Sequence, residues 1–316
     1  VGFFAHVTKR ISCLRVRQYG HNINLTTKFE PRLGNVSMEK PLPQGCAPST
    51  SALALGGELR GFYGRELANY EELRAANELY VRVFNYSEPE FALNLNLLCA
   101  LVKNGGSVVG VFAPDDGRVG FAYGFAGRDR AGNSYHYSQS AVVEHGYQGL
   151  GVGRSLKQLQ REVAERLGNE RMRWTFDPIL ARNAHFNLAT LGAVGFDFQR
   201  DYYSRPGTDR LLVDWTFDQA IDPYQEQRAV RTPVLGAKSW GEPETHQDAQ
   251  WLPLPTDSRR TIELGLRSQI SGALESLLSA DLVLIDCRRT DSDTAAYLAV
   301  PRVRGSQGAR LSDQKY

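Results

Sequence analysis

The sequence has few cysteines and no long apolar run. Four cysteines are scattered over 316 residues and none lies in a CxxC pair, so a disulfide scaffold is not indicated. No two histidines or cysteines have zinc-ligand spacing, and no metal is expected. No apolar run approaches the ~18 residues of a membrane span. These features predict a protein of the reducing cytoplasm that does not contact a membrane.

An excess of charge of one sign is also missing. Thirty-seven lysines and arginines face thirty-five acidic residues, which gives a formal net charge of +2 at pH 7. A surface built to bind nucleic acid carries a clear basic excess, so a nucleic-acid partner is not expected. The hydrophobic share of 42% is instead ordinary for a globular chain with a sizeable core.

Residues 1–60 show no sustained hydrophobic period. Basic residues dominate positions 9–32, and proline, glycine and serine punctuate positions 41–57. This composition predicts a disordered extension, or sequence upstream of a true start near Met38. An Arg-rich, acid-poor start is also typical of a mitochondrial transit peptide, so that alternative stays open.

From residue 66 onward the hydrophobic pattern predicts alternating elements. Helices are expected over 66–84 and 90–103, followed by strands over 107–112, 118–125 and 135–143. A helix (154–167), a strand (171–176), a helix (183–191) and a strand (210–217) complete the series. Meandering strands followed by β-α-β alternation predict a mixed α+β sheet.

The pattern weakens after residue 217. Residues 218–258 are rich in Pro, Gln, Glu and Asp, which indicates a long connection. One helix over 261–278 and strands over 282–285 and 295–300 follow. This C-terminal extension over 218–316 either completes the fold or forms a small α/β lobe of its own.

A glycine-rich turn lies between the strand ending at Val143 and the helix beginning near Arg154. Its sequence, from Gln148 to Gly153, is QGLGVG. The first turn of a helix presents unpaired N–H groups and the positive end of the dipole, and glycines let a phosphate approach closely. The spacing matches neither the dinucleotide-binding nor the Walker pattern. The turn is therefore a candidate pyrophosphate site of another kind, to which Arg154 adds charge.

The stretch from Val143 to Gly153 resembles the acyl-CoA signature of the GNAT acyltransferase superfamily, in which a strand ends in an [RQ]xxGxG turn. Further blocks resemble a less-studied branch of that superfamily. They are WTFDP from Trp174 to Pro178, RNAHFN from 182 to 187 and LGA from 191 to 193. The resemblance covers about residues 68–217, so a GNAT domain is expected over 66–217.

The resemblance implies a mixed, mostly antiparallel central sheet flanked by helices. It also implies an N-acyltransferase that uses acetyl-CoA or another acyl-CoA as co-substrate and no metal. The group transferred is of acetyl or succinyl type, and the acceptor is the amine of a small molecule, with an amino acid the first expectation. A homodimer is compatible with this assignment.

Residues that bind the acyl-CoA are implied by the same resemblance. The strand that ends at Val142 and Val143 splays from its neighbour and pairs with the pantetheine arm. The pyrophosphate is held by the turn and the helix start. Those residues are Gln148, Gly149, Gly151, Val152, Gly153 and Arg154.

Acyl transfer to an amine also requires a group that removes a proton. The candidates near the expected sheet opening are Glu144, His136 and Asp177, and Asn183 is a further catalytic-site candidate through a substrate contact. Each has a structural interpretation that stays open. Glu144 fits an exposed loop, Asp177 fits a turn cap, Asn183 fits a polar network on a helix face, and His136 fits a sheet interior.

Two positions depart from the resemblance. Leu188 stands where many GNAT enzymes have a tyrosine that protonates the leaving thiolate, and Gln139 stands where the branch tends to have a histidine. Glutamine is not a base near neutral pH. These departures keep a second hypothesis open, namely a non-catalytic acyl-CoA-binding regulatory protein.

Overall fold

The computed structural model describes residues 61–88, 91–115, 117–217, 222–247 and 249–303. The predicted extension over residues 1–60 lies outside this part of the chain. All the described residues fall within one compact unit. They form eleven strands and seven helices, and none of these helices is both long and apolar enough to cross a membrane.

The strands are β1 Tyr63–Glu66, β2 Ser107–Phe112, β3 Arg118–Arg128, β4 Ser134–Val143, β5 Arg171–Phe176, β6 Val194–Gln199, β7 Arg210–Thr216, β8 Glu244–His246, β9 Ala249–Pro255, β10 Leu282–Arg289 and β11 Thr294–Pro301. The helices are α1 Tyr70–Phe84, α2 Leu95–Lys103, α3 Val152–Arg166, α4 Ala181–Ala184, α5 Gln225–Arg228, α6 Ser258–Glu263 and α7 Arg267–Ser279. A π-helical turn over His185–Thr190 continues α4.

The described strands make a single sheet in the order β1-β2-β3-β4-β5-β7-β6-β10-β11-β9-β8. Every neighbouring pair is antiparallel except β4 and β5, which run parallel. Helices α1 and α2 pack with β2 and β3, and α3 packs against β2, β3 and β4. The predicted fold class, a mixed and mostly antiparallel sheet flanked by helices, is confirmed.

Two predicted helix starts are wrong, and capping explains both corrections. Glu66 belongs to β1, and α1 begins after Asn69, whose side chain accepts a hydrogen bond from the Glu72 N–H at 2.9 Å. The Glu72 side chain in turn reaches back to the Asn69 N–H, which completes a capping box. Asn94 caps α2 in the same way through the N–H of Leu97, so that helix begins at residue 95.

The predicted connection over 218–258 contains a strand, β9, which the sequence analysis missed because of its prolines. Pro253 and Pro255 pair with residues of β11 on one side of β9. On the other side, β8 reaches only as far as Trp251. The prolines therefore lie where the outer ladder has ended and a backbone N–H is not required. Strand β6 was missed too, and the helix predicted over 261–278 is divided into α6 and α7.

Side chains from both sides of the predicted domain boundary share one apolar core. Trp174 and Leu188 belong to the same buried cluster as Leu252, Leu274 and Tyr297. The sheet is also continuous, because β10 pairs with β6. The division into 66–217 and 218–316 stays a prediction, but these core contacts favour a C-terminal extension that completes the fold.

The C-terminal strands also hold the segment that follows β5. The hydroxyl of Tyr297 on β11 donates a 2.6 Å hydrogen bond to the carbonyl of Pro178. The His185 ring Nδ1 lies 2.8 Å from the carbonyl oxygen of Cys287 on β10. These contacts hold the chain on both sides of α4, which forms one wall of the candidate site.

Candidate active site

The single parallel pair of the described sheet opens into a cleft. Strands β4 and β5 pair only at His136 with Met172 and at Tyr137 with Arg173. Beyond that point β4 stays paired with β3 as far as Val143, while β5 stays paired with β7 as far as Phe176. The two strands therefore diverge and leave a V-shaped gap. The resemblance implies that the strand ending at Val142 and Val143 separates from its neighbour. In this sheet β4 does separate from β5 before it reaches those residues.

A β-bulge lies at the point where the strands separate. On β4, Ser138 pairs with Gly124 and Ser140 pairs with Tyr123, so Gln139 is an extra residue without a direct partner on β3. A bulge bends its strand and increases the local twist, which turns β4 away from β5. Gln139 is also one of the two positions where the sequence departs from the resemblance.

The gap between the strands forms a cleft of about 720 Å³. Its lining comes from β4, the glycine turn, α3, β5 and residues 181–190, which comprise α4 and the π-helical turn and are called the α4 segment below. Of the predicted acyl-CoA-binding residues, those that line it are Val143, Gln148, Gly149, Gly151, Gly153 and Arg154. The side chains of Val142 and Val152 are instead buried in apolar clusters.

The glycine turn lies at the wide end of the cleft and leads directly into α3. Gly149 and Gly151 have φ angles of +86° and +93°, a region that residues with a Cβ rarely adopt. No side chain caps α3, and its first internal bond runs from the Ser155 N–H to the Gly151 carbonyl. The N–H groups of residues 152–154 precede that bond and lack a helical acceptor. They are a ready site for an anion.

Side chains at the wide end are polar and cationic. Gln148 donates through Nε2 to the Val143 carbonyl at 3.3 Å and accepts from Arg182 at 3.1 Å, so it connects the end of β4 with the α4 segment. Arg154 and Arg182 are both exposed and both line the cleft. Together with the positive end of the α3 dipole, they favour binding of negatively charged groups.

The structure places the two predicted carboxylates away from the cleft lining. Glu144 is bound by Arg82 at 2.6 Å, and that guanidinium lowers the pKa of the carboxyl from its usual value. Asp177 accepts from the Ile179 N–H and pairs with Arg267 at 3.1 Å. Asn183 is exposed and does line the cleft. Catalytic roles for these three residues stay predictions.

A lysine that the sequence analysis missed lies at the narrow end of the cleft. Lys157, on the inner face of α3, is 4% exposed. Its Nζ donates a 2.8 Å hydrogen bond to Ser138 Oγ and lies 3.8 Å from the centroid of the Trp174 ring. Burial lowers the pKa of Lys157 to about 7, because the ammonium loses its hydration.

Ser138 connects this lysine to a buried chain of hydrogen bonds. Its hydroxyl donates to Gln160 Oε1 at 2.7 Å, and Gln160 Nε2 donates to Ser107 Oγ at 3.2 Å. Ser107 Oγ lies 2.8 Å from His136 Nε2. His136 is fully buried, and its pKa is lowered to about 4 by burial and by the charge of Lys157. His136 is therefore a neutral residue of the sheet interior.

The lowered pKa of Lys157 predicts how stability depends on pH. Between about pH 7 and its ordinary pKa of 10.5, the unfolded chain binds a proton that the folded chain does not. The free energy of unfolding should therefore rise with pH in this window, by up to about 1.4 kcal/mol per pH unit from this group. Urea unfolding of wild type and Lys157→Met at pH 7, 8 and 9 measures this rise in the free energy of unfolding. The free energy of unfolding of wild type should rise with pH relative to that of Lys157→Met; parallel curves would contradict the prediction.

Comparisons with known proteins found no matching family model and no matching curated protein. Solved structures do match. Nourseothricin acetyltransferase is 17% identical, with 36% of this chain and 66% of that chain covered and a TM-score of 0.32. An aminoglycoside acetyltransferase from an uncultured soil metagenomic sample is 18% identical, with 42% and 88% covered and a TM-score of 0.36.

A third similar structure is described as a candidate acetyltransferase of the GNAT family from Desulfovibrio desulfuricans. It is 17% identical, with 49% of this chain and 98% of that chain covered and a TM-score of 0.39. All three similar proteins are described as acetyltransferases.

Proposed function

We propose that the protein is an acyl-CoA-dependent N-acyltransferase of the GNAT type. It transfers an acetyl or succinyl-type group to the amine of a small molecule, with an amino acid as the first acceptor to test. The proposal rests on one observation, the cleft between β4 and β5 that opens onto the uncapped start of α3. An elongated molecule with phosphates at one end and amides along its length fits both parts of that cleft.

The wide end suits the phosphates of an acyl-CoA. Gly149 and Gly151 have no side chains to block the turn, and the first N–H groups of α3 follow it directly. Phosphate oxygens would accept from these N–H groups, and Arg154 would add positive charge. Because Gly151 and Gln148 are exposed, the turn is open to a ligand.

The free edge of β4 suits the pantetheine arm. The N–H of Glu144 donates to Val119 on β3, so the main chain of the preceding Val143 faces the opposite way, towards the cleft. The Gln148 side chain already bonds to the Val143 carbonyl from that side. An extended arm with amide groups can therefore pair with β4 as an added strand, as peptides do at open sheet edges.

The thioester would lie at the narrow end of the cleft, since the phosphates are held at the wide end. A main-chain N–H near the bulge at Gln139 would donate to the thioester oxygen and stabilise the negative charge that develops there. The amine attacks the carbonyl carbon directly, the C–S bond breaks, and the CoA thiol leaves. No covalent acyl-enzyme is required.

The test is direct mixing of the full chain with acyl-CoA and acceptors. Isothermal titration should detect binding of acetyl-CoA or succinyl-CoA. Incubation with a panel of amino acids should release free CoA thiol, measured with a thiol reagent, together with the N-acyl product by mass spectrometry. Binding without turnover across a broad amine panel would favour the non-catalytic regulator. No binding of any acyl-CoA would contradict the proposal.

A further inference from the structure

The narrow end of the cleft has a primary amine where an acyltransferase needs a proton acceptor. Among the described residues that line the cleft, none carries a carboxylate, so neither aspartate nor glutamate is available there. We propose that Lys157 takes the proton from the acceptor amine and returns it to the departing sulfur. This inference rests on the proposed function and assigns the catalytic residue of that site.

Lys157 lies where the reacting atoms must come together. Ser138 and Trp174 are the first residues of β4 and β5 beyond the last paired positions, so they mark the narrow end of the gap. The Nζ of Lys157 contacts both, at 2.8 Å from Ser138 Oγ and 3.8 Å from the Trp174 ring centroid. With the phosphates at the wide end, the thioester ends beside this amine.

No carboxylate in the described cleft lining stabilises the charged form of Lys157. The titratable or cationic side chains nearby are His136 on β4 at the narrow end, Tyr147 and His185 on the cleft walls, and Arg154 and Arg182 at the wide end. Burial of Lys157 adds a desolvation cost to the charged form, which lowers its pKa to about 7. A neutral amine of this kind accepts a proton near neutral pH.

Ser138 and Gln160 act as positioning residues. Ser138 donates its only proton to Gln160 Oε1, so its oxygen can only accept from Lys157. This arrangement commits one N–H of Lys157 to Ser138 and leaves the nitrogen lone pair directed elsewhere. The buried chain continues from Gln160 through Ser107 to His136.

The proposed step balances in protons and electrons. The acceptor enters as a free amine, and its lone pair forms the C–N bond while the nitrogen proton passes to Lys157. The C–S bond then breaks, and its electron pair leaves on sulfur. The Lys157 ammonium donates its proton to that thiolate. The products are the amide and the CoA thiol, and Lys157 is neutral again.

The main experiment compares Lys157→Met with Lys103→Met, a substitution of an exposed lysine at the end of α2. We expect both variants to bind acetyl-CoA with affinities close to wild type by isothermal titration. We expect Lys157→Met to lose 10²- to 10⁴-fold in kcat, roughly the range of a general acid–base group. Lys103→Met should retain wild-type kcat.

The pH profile and an arginine variant separate a proton acceptor from a fixed charge. Wild-type kcat should rise with pH through about 7, because only the neutral amine of Lys157 is active. This limb should vanish in Lys157→Met. Lys157→Arg should be as slow as the methionine variant, because a guanidinium stays protonated. A kcat of Lys157→Arg close to that of wild type would show that a positive charge at this position suffices, and would overturn the inference.

Two readouts do not depend on turnover. In wild type labelled with ¹³C-lysine, one resonance should titrate near pH 7 and be missing from Lys157→Met; a pKa near 10.5 for that lysine would overturn the inference. Intact mass after incubation with acetyl-CoA alone should show no acylated lysine. Acylation of Lys157 on the path to product would make it a nucleophile and would also overturn the inference.

If the wild type binds and turns over acyl-CoA but Lys157→Met is equally fast, the inference fails while the proposed function stands. If the wild type binds no acyl-CoA, the proposed function itself fails.

Discussion

Replacing Gly151 by valine is expected to weaken acyl-CoA binding by about 100-fold or more in a folded protein. The φ angle of +93° at Gly151 strains any residue with a branched Cβ, and the added methyl groups would stand where phosphate oxygens approach the turn. Loss of two charge-assisted hydrogen bonds, at roughly 1.5 kcal/mol each, corresponds to a drop of about 100-fold in affinity. Isothermal titration with acetyl-CoA measures the change directly.

The matched control for this variant is Gly168→Val. Gly168 follows α3 at its other end, has a φ angle of +77°, and has no atom within 4 Å of where a Cβ would lie. It therefore imposes similar backbone strain far from the cleft, and its acyl-CoA affinity should equal that of wild type. Circular dichroism and the melting temperature verify that Gly151→Val is folded. Wild-type affinity in a folded Gly151→Val protein would refute the phosphate site.

Replacing Asp214 by alanine should cost roughly 3–5 kcal/mol of stability, because it leaves the buried Arg173 guanidinium with only the more distant Asp129, at 4.0 Å, as an acidic partner. Asp214 on β7 accepts two 3.1 Å hydrogen bonds from Arg173 on β5, and its side chain is fully buried. Arg173 also pairs with Tyr137 at the last contact between β4 and β5. The same substitution should therefore weaken the narrow end of the cleft. Urea unfolding measures the stability loss.

A double variant separates a lost interaction from lost packing. Arg173→Met combined with Asp214→Leu replaces both charges by apolar groups of similar size, and such exchanges of buried ion pairs are often neutral. We expect the double variant to recover most of the stability that Asp214→Ala loses. A stability loss below about 1 kcal/mol in Asp214→Ala alone would mean that water reaches Arg173 and that the pair is unimportant.

The sequence predicted features whose causes are local. The glycine turn at 148–153 and the strands at 107–112 and 171–176 lie where turn residues and alternating side chains indicated. The candidate carboxylates could not be judged in the same way. Glu144 is bound by an arginine 62 positions away and Asp177 by one 90 positions away, and no local pattern reveals such partners.

Lys157 is another residue whose role depends on contacts that the local sequence pattern does not reveal. Its place on α3 falls among inward-facing residues such as Leu156 and Leu159, which is a visible signal of burial. Lysine on such a face usually extends its ammonium to solvent, so the pattern alone does not predict a buried amine. Its burial depends on the gap between β4 and β5, which only the paired sheet defines.

The contacts of Tyr297 and His185 have a consequence for how this site can change. One wall of the cleft is fastened to strands that lie 102 to 119 positions away in the sequence, in a region that resembles no catalytic signature. The C-terminal strands thus support the cleft wall that contains α4, beside Trp174. Substitutions there can widen or narrow the opening without touching a ligand, so substrate range can drift while every motif residue stays the same.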